Sequence, residues 1–150
     1  MEQEHSITIL VVDDIKANLI AMQEVLISAG YLVITALSGQ EALSIALKQY
    51  LDLILLDVQM PGMDGFEVAE LLKSNKITQE IPFIFITAIS KESHYVDRGY
   101  KLGADNYIFK PINAEDLLGK INVSLRYHQY KKQMQIYDQR KHESKKKHSG

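Results

Sequence analysis

A doubly wound α/β sandwich on one parallel sheet follows from three features of this 150-residue chain. Short, nearly continuous apolar runs recur five times, and each is followed by a segment of helical period. Strands of that kind, each returned by a crossover helix, belong to a parallel sheet covered on both faces. Right-handed crossovers leave either an open doubly wound sheet or a closed barrel, and a barrel takes about eight units and about 250 residues. Five units therefore give the open sheet, in which ligands bind outside the carboxyl ends of the strands.

The elements read in order. "ITILVVDD" is a strand, and "IKANLIAMQEVLISAG" a helix with Ile15, Leu19, Met22, Leu26 and Ala29 at intervals of four and three, stopped by Gly30. The rhythm repeats as "YLVITA" then "SGQEALSIALKQY", "LDLILLD" then "GFEVAELLKSN", "IPFIFITA" then "ESHYVDRGYKLG", and "NYIFK" then "NAEDLLGKINVSLRY". With 46% apolar residues the chain can bury a real core, and it has no apolar run near the ~20 residues of a membrane span. Its acidic start "MEQEHS" is unlike a signal peptide, so a soluble, cytoplasmic protein is expected. Zero cysteines exclude disulfides and thiolate metal sites. The formal charge of −2 hides an acidic body and a basic tail: residues 126–150 carry eight Lys/Arg against two Asp/Glu. An acidic body argues against a nucleic-acid footprint on the globular part.

Chemistry collects at the predicted strand ends. Strand one ends in Asp13 and Asp14, strand three in Asp57, strand four in Thr87 and strand five in Lys110. Taken singly, an Asp there can be a helix cap, Thr87 a β-branched strand residue and Lys110 a solvated charge. Together they converge on one sheet edge. Two like charges ~4 Å apart repel by about 4 kcal/mol at an effective dielectric near 20, so three crowded carboxylates call for a counter-charge. Oxygen ligands without thiols suit a hard cation, and Mg²⁺ is favoured where carboxylates act beside a phosphate. No G-x-x-x-x-G-K-[ST] or G-x-G-x-x-G loop is present to cradle a nucleotide, which points to phosphoryl transfer onto the protein itself. Asp57 stands apart as the nucleophile, the Asp13/Asp14 pair can hold the metal, Lys110 offers a point charge and Thr87 a hydroxyl.

These residues carry a resemblance. "LVVDD", "LLDVQMPGMDG", Thr87-Ala88 and "GADNYIFKP" stand in the order and spacing of the receiver domains of two-component response regulators, and the chain resembles that chemotaxis-regulator-like family over about residues 6–127. The resemblance implies a (βα)5 flavodoxin-like sandwich with strand order 2-1-3-4-5, a receiver at 1–127 and a helical extension with a basic tail at 128–150. It implies that Asp57 is phosphorylated from the phosphohistidine of a histidine kinase or phosphotransfer protein. Asp14, Asp57 and the Gln59 carbonyl would ligate Mg²⁺ or Mn²⁺, with Asp13 assisting through water. Lys110 and Thr87 would contact the phosphoryl group, Thr87 and Tyr107 would switch together, and the Lys110-Pro111 peptide would be cis. Gln59 and Ile89 would flank the phosphoryl group and tune its hydrolysis, and an apolar Ile89 predicts a long-lived phosphoform. Phosphorylation adds about −1.5 to −2 charges, enough for new charge-assisted hydrogen bonds to bias a two-state element on the strand-four and strand-five face.

Beyond Leu125 the helical pattern runs on without Pro, and Val123, Tyr127, Tyr130, Met134 and Tyr137 follow the seam spacing of a short coiled coil. A signalling helix toward an output domain outside this chain is expected, with homodimer surfaces on that helix or the strand-four and strand-five face. A phosphorylation-independent interaction module of the same fold is the competing reading. An aspartate-nucleophile phosphatase conflicts with Gln59, and a flavin carrier with "DDIKAN" after strand one.

Overall fold

The computed structural model describes residues 6–88 and 93–148. Ten elements alternate along the chain: β1 (Thr8–Val12), α1 (Lys16–Ser28), β2 (Leu32–Ala36), α2 (Gly39–Lys48), β3 (Leu53–Asp57), α3 (Gly65–Lys73), β4 (Phe83–Thr87), α4 (Ser93–Lys101), β5 (Asn106–Phe109) and α5 (Ala114–His148). The strands form one parallel sheet in the order β2-β1-β3-β4-β5. This is the open doubly wound sandwich that the alternation of apolar runs and helices predicts, with the flavodoxin-like strand order that the resemblance implies.

Side-chain alternation along each strand divides the core. Leu10, Val12, Ile54, Leu56, Phe83, Phe85 and Tyr107 face one layer, packed with residues of α2, α3 and α4 such as Ala42, Val68 and Val96. Ile9, Val11, Leu53, Leu55, Ile84, Ile86 and Ile108 face the other, against Leu19, Met22 and Leu26 of α1 and Leu117 and Ile121 of α5. Every residue of β3 and β4 is buried, because both strands are interior and covered on both faces. Edge strand β2 is only partly buried, with Leu32 exposed. Truncating fully buried Leu55 to alanine would cost about 2–5 kcal/mol through lost transfer energy and a cavity.

Local signals set the boundaries. Ser38 caps α2 by accepting from the Glu41 N–H, and Asp64 caps α3 by accepting from the Glu67 N–H. Gly30 ends α1 at φ 95°, a conformation glycine adopts without steric penalty. The periodicity of α1 is corrected at both ends. Leu19, Met22 and Leu26 are buried, but Ile15 is the exposed N-cap and Ala29 the exposed C-cap. The chain turns at Asp13 before the helix begins, so Ile15 leaves the buried stripe.

The final helix is continuous through His148. Its lower part is tied to two loops of the sheet: Asp105 accepts from Ser124 and pairs with His128 Nε2 at 2.7 Å, and Lys132 Nζ donates to the Tyr50 hydroxyl at 2.7 Å. Val123, Tyr127, Tyr130, Met134 and Tyr137 are all exposed along it. Among the described residues, no helix is long and apolar enough to cross a membrane.

Candidate functional site

Four neighbouring strands deliver the site. Asp57 is the last residue of β3 and pairs in register with Ile86 of β4, while Asp13 follows β1 and its N–H donates to Ala36 at the end of β2. Thr87 ends β4 in register with Phe109. Lys110 lies one residue beyond β5, its N–H donating to the Thr87 carbonyl at 2.9 Å, so the expected strand-five terminus is shifted by one residue. Because all strands are parallel and end together, residues as far as 97 positions apart in the chain meet without any long loop.

Asp13, Asp14 and Asp57 each place a carboxylate oxygen within 4.8 Å of the others. Lys110 Nζ bridges two of them, at 3.2 Å from Asp13 and 3.4 Å from Asp57. Asp13 is wholly buried, and its second oxygen accepts from the Ile15 N–H at 2.9 Å, a turn that starts the chain toward α1. Asp57 is also buried, at 3% exposure. It is a strand residue in the middle of the sheet, so only its carboxyl edge faces the crevice.

Burial, followed by the Asp13 charge, raises the Asp57 carboxyl from an ordinary 3.8 to about 6; Lys110 and the Gln59 N–H, which donates to Asp57 Oδ1 at 3.2 Å, pull the other way. For Lys110, burial works to lower the ammonium's pKa, but the Asp57 and Asp13 carboxylates outweigh it and the group is held above its ordinary value. The cluster carries three carboxylates against one lysine. Each carboxylate pair at ~5 Å repels by about 3 kcal/mol at an effective dielectric near 20. Hard oxygen donors of this kind fit a divalent cation such as Mg²⁺.

Among the other residues singled out from sequence, Thr87 is buried beside the cluster, Gln59 is exposed on the loop after β3, and the Lys110-Pro111 peptide is cis. Tyr107 is buried, stacked on Phe109 at 5.9 Å and packed at 5.4 Å against Phe85. Ile89 lies outside the described residues. Sequence reading missed Asn18, whose Nδ2 donates to Asp13 Oδ2 at 3.2 Å; the only signal is its place in the first turn of a helix that starts at the site.

Known proteins resemble this chain in sequence and fold. The family model of the response regulator receiver domain matches residues 9–122. The chain belongs to the response regulator receiver family. As a receiver domain it is 40% identical over 122 residues to the response regulator PleD of Caulobacter vibrioides, a match covering 81% of this chain and 27% of PleD. It is 38% identical over 120 residues to the phosphate regulon transcriptional regulatory protein PhoB of Pseudomonas aeruginosa, covering 79% of this chain and 52% of PhoB. The chain thus spans about a quarter to a half of these curated relatives. The CheY-like receiver of Methanospirillum hungatei superposes with a TM-score of 0.78 at 31% identity, over 85% of this chain and 99% of that one. Receiver domains are signalling switches of two-component systems, where they work with histidine kinases or phosphotransfer proteins.

Proposed function

We propose that this receiver is a Mg²⁺-dependent phosphoacceptor that assists its own phosphorylation and dephosphorylation in the cytoplasm. The observation that carries the reading is Asp57: a carboxylate fixed at the end of the central strand, 3.4 Å from Lys110 and crowded by Asp13. An oxygen of Asp57 attacks the phosphorus of a phosphohistidine on a kinase or phosphotransfer protein, the P–O bond forms as the P–N bond breaks, and the imidazole leaves. Asp14, Asp57 and the Gln59 carbonyl would hold the cation, and Asp13 would support it through water. When bound, the cation neutralises charge on the transferring group. Lys110 pairs with the phosphoryl oxygens, and Thr87 donates its hydroxyl to another. Tyr107 follows Thr87, and Gln59 and Ile89 set the access of hydrolytic water.

Residues 1–127 act as the receiver and residues 128–150 as a helical extension. The exposed row Val123, Tyr127, Tyr130, Met134 and Tyr137 supports a role for α5 in carrying the signal to an output module or a second copy. Incubation with Mg²⁺ and acetyl phosphate tests the function. The expected product is heavier by one phosphoryl group, stable in acid and labile in base, and absent in Asp57→Asn. A wild type that takes no label from acetyl phosphate or any kinase, or equal labelling of Asp57→Asn, overturns the proposal and leaves a phosphorylation-independent interaction module.

A further inference from the structure

Glycine weakens a helix interior relative to alanine, so Gly99, inside α4 two residues before the helix ends, calls for a reason. Backbone conformation does not supply one. Gly103 follows the helix at φ 100° and receives the turn out of α4, whereas Gly99 is not among the glycines of positive φ.

Packing supplies it. A Cβ at Gly99 would fall well inside van der Waals contact of the Tyr107 hydroxyl, 2.7 Å from Tyr107 Cζ and 2.9 Å from Phe85 Cδ2. Neither neighbour can give way in place. Phe85 is a fully buried β4 residue locked by edge-on rings of Phe66 and Phe83 at 5.1 and 5.3 Å. Tyr107 is held between Phe85, Tyr100 and Phe109, and its backbone is fixed in β5. The phenol end of Tyr107 fills the volume that a side chain at position 99 would take. Gly99 also meets the hydroxyl through its backbone, which opposes the rise of the phenol to about 12 that burial causes.

We infer that Gly99 is a positioning residue for Tyr107: by withholding a Cβ it keeps open the inward seat of the ring, and the residue at position 99 sets how much of the protein holds Tyr107 inside. The consequence for phosphorylation rests on the proposed coupling of Tyr107 to Thr87. A ring denied its seat must turn toward solvent between α4 and α5. In that proposed coupling the ring turns inward as Thr87 moves to the phosphoryl group, so a protein that loses its inward form binds a phosphoryl mimic more weakly, in proportion to the lost population.

The test uses Gly99→Ala in the full chain labelled with 3-fluorotyrosine, with Tyr107→Phe assigning the Tyr107 ¹⁹F resonance. The expected result is a Tyr107 resonance that gains the H₂O/D₂O shift of an exposed ring, together with an apparent beryllofluoride affinity at least about five-fold weaker in the presence of Mg²⁺. A resonance that keeps its buried shift overturns the role of Gly99. An exposed ring with unchanged beryllofluoride affinity upholds Gly99 as the seat of Tyr107 and refutes the coupling of Tyr107 to the site. Should Gly99→Ala fail to fold, Gly99→Ala/Tyr107→Ala is compared with Tyr107→Ala alone: equal stability of the two supports the clash with Tyr107, and a further loss in the double variant as large as that of Gly99→Ala in the wild type overturns it.

Discussion

Replacing Asp57 with asparagine is expected to stabilise the metal-free protein, and the gain has a pH signature. Burial and the Asp13 charge hold the Asp57 carboxyl at about 6 against an ordinary 3.8. That gap of about two pH units, at 1.36 kcal/mol each, corresponds to about 3 kcal/mol of unfavourable free energy for the ionised carboxylate in the folded state. The folded protein binds this proton more tightly than the unfolded chain does. Its contribution to stability therefore falls as pH rises from about 4 to about 6 and stays low above that; below about 4 both states are protonated and the difference vanishes. Asparagine has no charge to bury. Urea unfolding of both proteins in EDTA, followed by circular dichroism from pH 4 to pH 8, gives the difference directly, since other titrations are shared. Asp57→Asn should be more stable by up to about 3 kcal/mol at pH 8, or about 6–12 °C in Tm, and by almost nothing at pH 4. Millimolar Mg²⁺ should close the gap by stabilising the wild type selectively. A difference independent of pH, or an asparagine variant less stable at pH 8, would refute the assignment of Asp57 as a carboxylate destabilised by its surroundings.

Three further outcomes are expected. Lys110→Met removes the cation that bridges Asp13 and Asp57 at 3.2 and 3.4 Å, and should lower stability at pH 8 by about 1–3 kcal/mol, with Asp57→Asn restoring most of it in a double-mutant cycle. Gly65→Ala places a Cβ against the Asp57 carbonyl and 2.8 Å from Val58 Cα, backbone that cannot step aside, and should destabilise by about 1–3 kcal/mol in urea melts while slowing acetyl phosphate labelling. His128→Ala breaks the 2.7 Å contact to Asp105, a partly exposed pair worth at most about 1 kcal/mol globally. Its effect should instead be local, read as faster amide hydrogen exchange at residues 124–132 with little change in β3 or β4.

The fold was legible because its signals are local or periodic. "LILLD" and "FIFIT" are apolar at every interior position, which suits a strand covered on both faces, and each run is followed by a helix. The site was legible because parallel strands bring their carboxyl ends together, so Asp13, Asp57 and Thr87 could be collected on one edge without knowing any distance. What escaped depends on direction and depth. Ile15 fits the α1 spacing, yet the Asp13 turn rotates it outward. Asp57 reads as a charge at a strand end, and how deeply an interior strand buries it is not encoded in that position. The Gly99–Tyr107 packing and the Asp105–His128 contact join residues eight and 23 positions apart across two elements, and no periodicity encodes which ring points at which backbone.

The geometry also indicates how a charge change at Asp57 could reach Tyr107. Asp13 and Asp57 hang from adjacent strands in the interior of a five-stranded sheet, so their repulsion cannot relax by separation; a close-packed sheet does not deform continuously. Lys110 is shared between them, which leaves each carboxylate only partly compensated. A phosphoryl group on Asp57 would bring up to two further charges and three acceptors toward Lys110 and Thr87. Thr87 is the register partner of Phe109, and Phe109 stacks on Tyr107, whose hydroxyl end rests against Gly99. Any displacement of Thr87 toward the phosphoryl group therefore alters the packing of a ring that has one tightly fitted seat. Such a ring moves between discrete positions rather than by degrees, and that discreteness is what a small charge event at the sheet edge needs to become a change on the face between α4 and α5.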